Sequence, residues 1–265
     1  MTAWTALLRK DLRLMRPMAW AAGIGVVVLY GAFLYLALRY HSGAATVMAL
    51  MVLGVHALAP PVYTYIGLGR EWRKSAPLWL HLPQPGWMLL ASKLVTSYVL
   101  TVGTFLIAGL GAIWVLAWDR PAFTRLLDWA DPSVLRFDLQ VAVWSTVTVF
   151  GFALYAACWA LAISVWMQAL KHPFGRWRWI VGIVLVLLAT WGLGGFQASG
   201  VYDRLFHWGA IPIALRVPGA VVDAPVDAIP LHVFTVYAGD IVFDLLVCAI
   251  LFALSAWVMD RRIEV

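Results

Sequence analysis

The run GWMLLASKLVTSYVLTVGTFLIAGLGAIWVLAW, Gly86 to Trp118, contains one charged residue, Lys93. About 20 apolar residues in a helix cross the roughly 30 Å hydrocarbon core of a bilayer, and this run exceeds that length. Working outward, five more runs have the same character: Met18–Leu38, Ala44–Leu68, Asp138–Met167, Trp179–Ala198 and Gly239–Met259. Backbone polar groups in lipid must be satisfied within the segment, so continuous apolar runs of this kind are helices. The expectation is an all-α polytopic membrane protein with six transmembrane helices. The runs at Gly86 and Asp138 are long enough to tilt or project beyond the bilayer.

Composition agrees. Of 265 residues 63% are hydrophobic and 12% charged, against roughly 25% charged in an average soluble domain. Mean hydropathy is +0.86. The first run is too long for a signal-peptide core and no small-residue cleavage site follows it, so it reads as retained. The whole of 1–265 reads as one transmembrane domain.

Charge orients it. Thirteen of the 19 Lys and Arg flank one side of the spans: Arg9, Lys10, Arg13 and Arg16, then Arg70, Arg73, Lys74 and Lys93, then Lys171, Arg176 and Arg178, and finally Arg261 and Arg262. The other side holds Arg39, Arg120, Arg125, Arg136, Arg204 and Arg216. By the positive-inside rule both termini are cytoplasmic. A pI of about 9.5 then reflects topology and contact with anionic membrane lipid rather than nucleic acid.

Residues 1–17 read as an amphipathic interfacial helix. Trp4, Leu7, Leu8, Leu12 and Met15 fall on one face and Arg9, Lys10, Arg13 and Arg16 on the other, with Pro17 expected to break the helix before the first span. Asp11 projects from the apolar face, so it pairs either with a neighbouring Arg at the surface or with another segment. The second span carries His56 and then Pro60-Pro61, where a kink is expected. His56 either faces a cavity or caps a helix contact.

Between the second and third spans lies GREWRKSAPLWLHLPQPGWMLLASK, Gly69 to Lys93. Its cytoplasmic part, 69–85, places Arg70, Glu71, Trp72, Arg73, Lys74, Trp79 and His81 in a short, proline-broken connection. Charge and aromatic rings together in so short a link read as a docking surface for a soluble partner.

Small residues at Gly23, Gly25, Gly103, Gly109, Gly111, Gly151, Gly192, Gly194 and Gly195 suggest close helix packing. Trp87, Trp114, Trp118, Trp177, Trp179 and Trp257 lie near span ends, as interfacial belts require. The external segment 199–238 is too apolar for a free linker. Part of it is expected to fold back against the outer membrane face as short helices, at least one of them contacting the outer ends of the fifth and sixth spans, with Pro212, Pro218, Pro225 and Pro230 as punctuation. Asp240 and Asp244, one turn apart in the last span, are candidate polar contacts in the membrane, Asp240 at the outer interface and Asp244 across a helix interface.

Catalytic signals are weak. Zinc-ligand spacings and the phosphate-binding GxxxxGK[ST] loop are absent, and no Ser or Cys has a recognisable base near it. Cys158 and Cys248 fall inside apolar runs and read as small buried hydrophobes. No catalytic residue and no metal site is expected. An integral membrane enzyme using His56, His81, Asp240 or Asp244, or a non-transporting accessory or sensory subunit, stands as the alternative.

Over essentially its whole length the chain resembles the permease subunits of ATP-binding-cassette transporters of the type-two exporter class, in a branch frequent in Gram-positive bacteria. The likeness begins with LLRKDLRLMRP, whose Lys10, Asp11 and Leu12 stand in the family's Lys-acid-Leu positions. It is most specific in EWRKSAPLWLHLPQPGWMLLASKL, where Glu71, Leu80, Leu82, Pro83 and Lys93 match the acid, leucine-rich stretch, proline and span-opening lysine. Many members carry Gly-Thr soon after the acid; this chain has Lys74-Ser75 and then Ala76-Pro77.

The resemblance implies that two permease chains, identical or paralogous, pair in a bacterial plasma membrane, each taking a cytosolic ATPase subunit. The permease needs no cofactor of its own, since ATP binds the partner. Residues 69–85 become the coupling helix, 1–17 the connecting helix, and 199–238 an outer gate. The cargo is hydrophobic or amphipathic (lipid, peptide or drug) and moves outward.

Overall fold

The computed structural model describes residues 3–40, 43–56, 58–74, 84–119, 132–218 and 228–262. In chain order its helices are α1 (Ala3–Tyr40), α2 (Ala44–His56), α3 (Ala59–Lys74), α4 (Gly86–Trp118), α5 (Pro132–Ala169), the short α6 (Lys171–Phe174), α7 (Arg178–Gln197), α8 (Gly200–Phe206) and α9 (Ala238–Arg262). A two-stranded hairpin, β1 (Ala210–Pro218) and β2 (Ala228–Tyr237), separates α8 from α9. Five helices are long and apolar enough to cross a membrane, six spans if the bent pair α2 and α3 counts as one. The protein is thus a helical polytopic membrane protein.

Contacts between helix ends fix an alternating up-and-down order. At one end, rich in Lys and Arg, the start of α1 meets the end of α3 and the start of α4. The ends of α5 and α9 join them there. At the opposite end Asp119, just past α4, meets the start of α2, and Tyr202 of α8 meets Asp240 at the start of α9.

Pro17 does not break α1, which runs unbroken through it from Ala3 to Tyr40. Proline lacks a backbone donor, yet a helix tolerates it where packing holds both halves. Here Leu7 and Met15 are buried before it, and Val26, Tyr30 and Phe33 after it. The bend at the second span does occur, 44° between α2 and α3, with Pro60 and Pro61 in the first turn of α3, where a missing donor costs least.

The segment after α7 holds one short helix where at least one was expected, and a hairpin that was not. One helix, α8, forms there, capped by the Ser199 side chain, which accepts from Tyr202 N at 3.3 Å. It packs between α7 and α9. The rest is antiparallel hairpin, with a bulge between Ile213 and Ala214, and β1 lies against α5. Ile211, Ile213, Leu215 and Val217 alternate with other residues at a period of two, which is a strand pattern. Pro212 and Pro230 are tolerated because a two-stranded ribbon is all edge. Pro225 lies outside the described residues.

The glycines also correct the sequence reading. Only Gly111 of the nine makes a close approach: a Cβ there would fall 2.8 Å from the Tyr30 ring. At the other eight positions a Cβ would meet nothing within 4 Å. The six tryptophans named above are all exposed at span ends. Cys158 and Cys248 are free and share one apolar cluster of α5, α8 and α9.

Candidate functional site

Helical periodicity builds the site. Leu7, Asp11 and Met15 recur every four residues, so one face of α1 turns all three inward. The final turns of α3 turn Glu71 toward the same point, and the second turn of α4 brings Ser92 and Lys93. All four polar residues are buried: Asp11 is 1% exposed, Glu71 3%, Ser92 1% and Lys93 4%.

Lys93 Nζ donates to Asp11 Oδ1 at 2.5 Å and to Glu71 Oε1 at 2.8 Å. Ser92 Oγ donates to Asp11 Oδ2 at 2.6 Å. Lys10 reaches Glu71 Oε1 at 2.8 Å from the half-exposed rim and stands 3.7 Å from Asp11. Among the described residues two carboxylates and two ammonium groups meet here. Leu7, Leu68, Leu89, Leu90 and Leu161 wall the cluster off, and in such surroundings a charge must be paired and hydrogen-bonded to persist. Removing one partner of a buried ion pair costs roughly 3–5 kcal/mol. The ends of α1, α3 and α4 are therefore cross-tied, and a displacement of one carries the others.

Three further bonds surround this tie. Arg70 Nη1 donates to Leu14 O at 3.1 Å, joining α3 to α1 again. Trp72 Nε1 donates to Ser164 Oγ at 3.2 Å on α5. Asp260 Oδ1 of α9 accepts from Gly86 N at 2.8 Å and so caps α4. A Cβ at Gly86 would fall 2.6 Å from that oxygen, which makes glycine the residue that fits. Five helices thus converge at this end.

Of the docking residues read from the sequence, Glu71 points into the protein, and Arg70 and Trp72 are half-buried against neighbouring helices. Arg73 is exposed and bonds Gly69 O of its own helix. Lys74 ends α3; Trp79 and His81 lie outside the described residues. Asp11 has its partner on another segment, and that partner is a lysine rather than a neighbouring arginine.

A polar seam continues from the cluster between α4 and the second span. Thr64 Oγ1 donates to Ser97 Oγ at 3.0 Å, and His56 Nε2 lies 2.7 Å from Thr104 Oγ1. Such bonds hold helices together in lipid, so His56 serves a helix contact. At the opposite end Asp119, fully buried, accepts from Gly43 N, Thr46 N and Thr46 Oγ1, capping α2. Asp240 accepts from Tyr202 Oη at 2.7 Å. Burial and that bond to a carboxylate hold the Tyr202 hydroxyl protonated well above its usual range. His207 Nδ1 lies 3.0 Å from Asp203 Oδ1 beside them. Asp244 was the expected cross-helix contact, but it is exposed and without a hydrogen-bond or ion-pair partner among the described residues; Asp240 makes the contact instead.

Ser92, Asp119, Ser164, Tyr202 and Asp260 were not singled out as partners from the sequence. The signal available in advance was Lys93 itself, alone in a long apolar run and needing a counter-charge. No family model, curated protein or solved structure matches the chain. Fold and site define its class directly: a multi-span helical membrane protein whose basic end is pinned by a buried cluster of ion pairs.

Proposed function

We propose that the chain is the permease subunit of an ATP-binding-cassette transporter of the type-two exporter class. The observation carrying this reading is the meeting of Asp11, Glu71 and Lys93. The sequence resembles the family at these three positions, which are distant along the chain and share one buried cluster. A conserved-looking spacing alone would not require them to touch.

In this reading the basic end faces the cytoplasm of a bacterial cell and both termini lie there. Residues 1–17, the basic start of α1, act as the connecting helix, and 69–85 as the coupling segment. Two permease chains pair, each with a separate ATPase subunit that binds the ATP. Closure of the ATPase dimer pushes on 69–85. The end of α3 cannot move without Glu71, and Glu71 holds Lys93 and Lys10, so the push reaches α1 and α4 together. Residues 199–238 close the outer side. A hydrophobic or amphipathic cargo moves outward, and the chain itself does no covalent chemistry.

Purification from native membranes should bring a Walker-motif ATPase in equal amount, and the complex should hydrolyse ATP. Trp79→Asp should cut that association or the coupled rate several-fold without shifting the chain's melting temperature. A chain that purifies without such a subunit, or a Trp79→Asp complex with unchanged hydrolysis and transport, would refute the proposal.

A further inference from the structure

A groove of about 600 Å³ runs along the seam between α1 and α4. Its mouth at the basic end is formed by Arg9, Arg13 and Arg16, spaced four and three residues apart and hence on one face of α1. Its body is apolar, lined by Trp20, Ile24 and Val27 on one side and by Val99, Leu100 and Ile107 on the other.

All three arginines are exposed, and none has an acidic partner among the described residues. Asp11, the acid nearest in sequence, turns the other way to Lys93. The groove stays open because Gly23 and Gly103 line it from opposite sides, each with empty space where a Cβ would be. Its lining reaches Val28 and Ile107.

From these observations we infer that the groove binds an anionic phospholipid from the leaflet at the basic end. The headgroup phosphate sits among Arg9, Arg13 and Arg16, and an acyl chain lies along the seam toward Val28 and Ile107. Length and charge both favour this occupant. From Arg16 to Val28 the helix rises about 18 Å, near the depth of one leaflet of a ~30 Å core. A packed transmembrane helix would need a seam open through both leaflets. Three unpaired cations at the leaflet surface answer a negative headgroup, and the volume lies within the range of small-molecule sites. The inference stands apart from the transporter reading, since it needs only a membrane.

Native mass spectrometry of the purified full chain tests it, with dioleoyl phosphatidylglycerol and dioleoyl phosphatidylcholine as probes. The unaltered chain should retain one phosphatidylglycerol, with a preference of about ten-fold over phosphatidylcholine. Arg9→Gln/Arg13→Gln/Arg16→Gln should bring the two lipids to near-equal retention. Gly103→Leu fills the groove with the charges intact and should remove the bound lipid of either kind; it carries the test alone if the triple variant fails to fold. Equal retention by the unaltered chain overturns the inference. So does an unchanged preference in a folded triple variant, or a bound lipid undisturbed by Gly103→Leu. A lipid-free dimer that Gly103→Leu dissociates would assign the groove to a second copy of the chain, and overturns it too.

Discussion

Replacing Lys93 by methionine removes one charge and little volume, so its effect isolates the electrostatics of the buried cluster. Among the described residues Lys93 is the cluster's fully buried cation, and Lys10 is 42% exposed at the rim. Without Lys93, Asp11 and Glu71 lose their buried counter-charge and keep the partly hydrated Lys10. Breaking a buried pair costs roughly 3–5 kcal/mol, and the remaining Lys10 offsets part, so a loss of about 3 kcal/mol is expected. Asp11→Asn/Glu71→Gln/Lys93→Met removes the buried charge altogether. Replacing a buried ion cluster by neutral groups is often close to neutral for stability, so this variant should recover at least about 1.5 kcal/mol of the loss. Unfolding of the purified chain by dodecyl sulfate in mixed micelles, followed by circular dichroism, gives both numbers. A triple variant no more stable than Lys93→Met would refute the reasoning. So would a Lys93→Met chain within about 0.5 kcal/mol of the unaltered protein, the range of an ordinary surface change.

Four other measurements bear on the rest of the molecule. A cysteine at Ser75 or at the exposed Phe174 should react with an impermeant thiol reagent only after the cytoplasm is opened, and one at Asp223 in intact cells; the reverse pattern would invert the orientation. Asp119→Ala strips the start of α2 of three hydrogen bonds and should cost about 2 kcal/mol, seen as faster amide exchange in the first turn of α2, and unchanged exchange would count against the cap. Gly86→Ala drives a methyl into Asp260 and should destabilise by about 1–3 kcal/mol, with a melting temperature equal to the parent as the contrary result. Tyr202→Phe leaves Asp240 without its hydroxyl donor and should cost about 1–2 kcal/mol; no change would mean that water replaces the bond.

The membrane class was written in composition, and the spans in apolar runs whose bounds lie close to the helices found, except that α1 begins at Ala3, well before the first run. Gly86–Trp118 coincides with α4, because nothing but a helix satisfies so long a backbone in lipid. The positions of Pro60-Pro61 and of the span-end tryptophans followed from local chemistry in the same way. The hairpin was missed: β1 carries a period of two, but the segment reads as short helices punctuated by its prolines.

Partnership was not legible. Asp11 and Lys93 were conspicuous as charges in apolar company and Glu71 as an acid among basic residues, but a charge by itself states only that it needs a partner. Which partner it finds depends on how α1, α3 and α4 pack, and no local pattern encodes a contact across 82 residues. The same limit applies to Asp119 beneath α2 and Asp260 beneath α4, whose carboxylates cap helices remote in sequence. It explains the reversal between Asp240 and Asp244 as well, since α8 happens to lie over the first of them. Sequence by itself determined where the chain crosses the membrane, because hydrophobic transfer acts residue by residue. Only the tertiary structure decided which buried charges meet, because pairing is a property of distance in space.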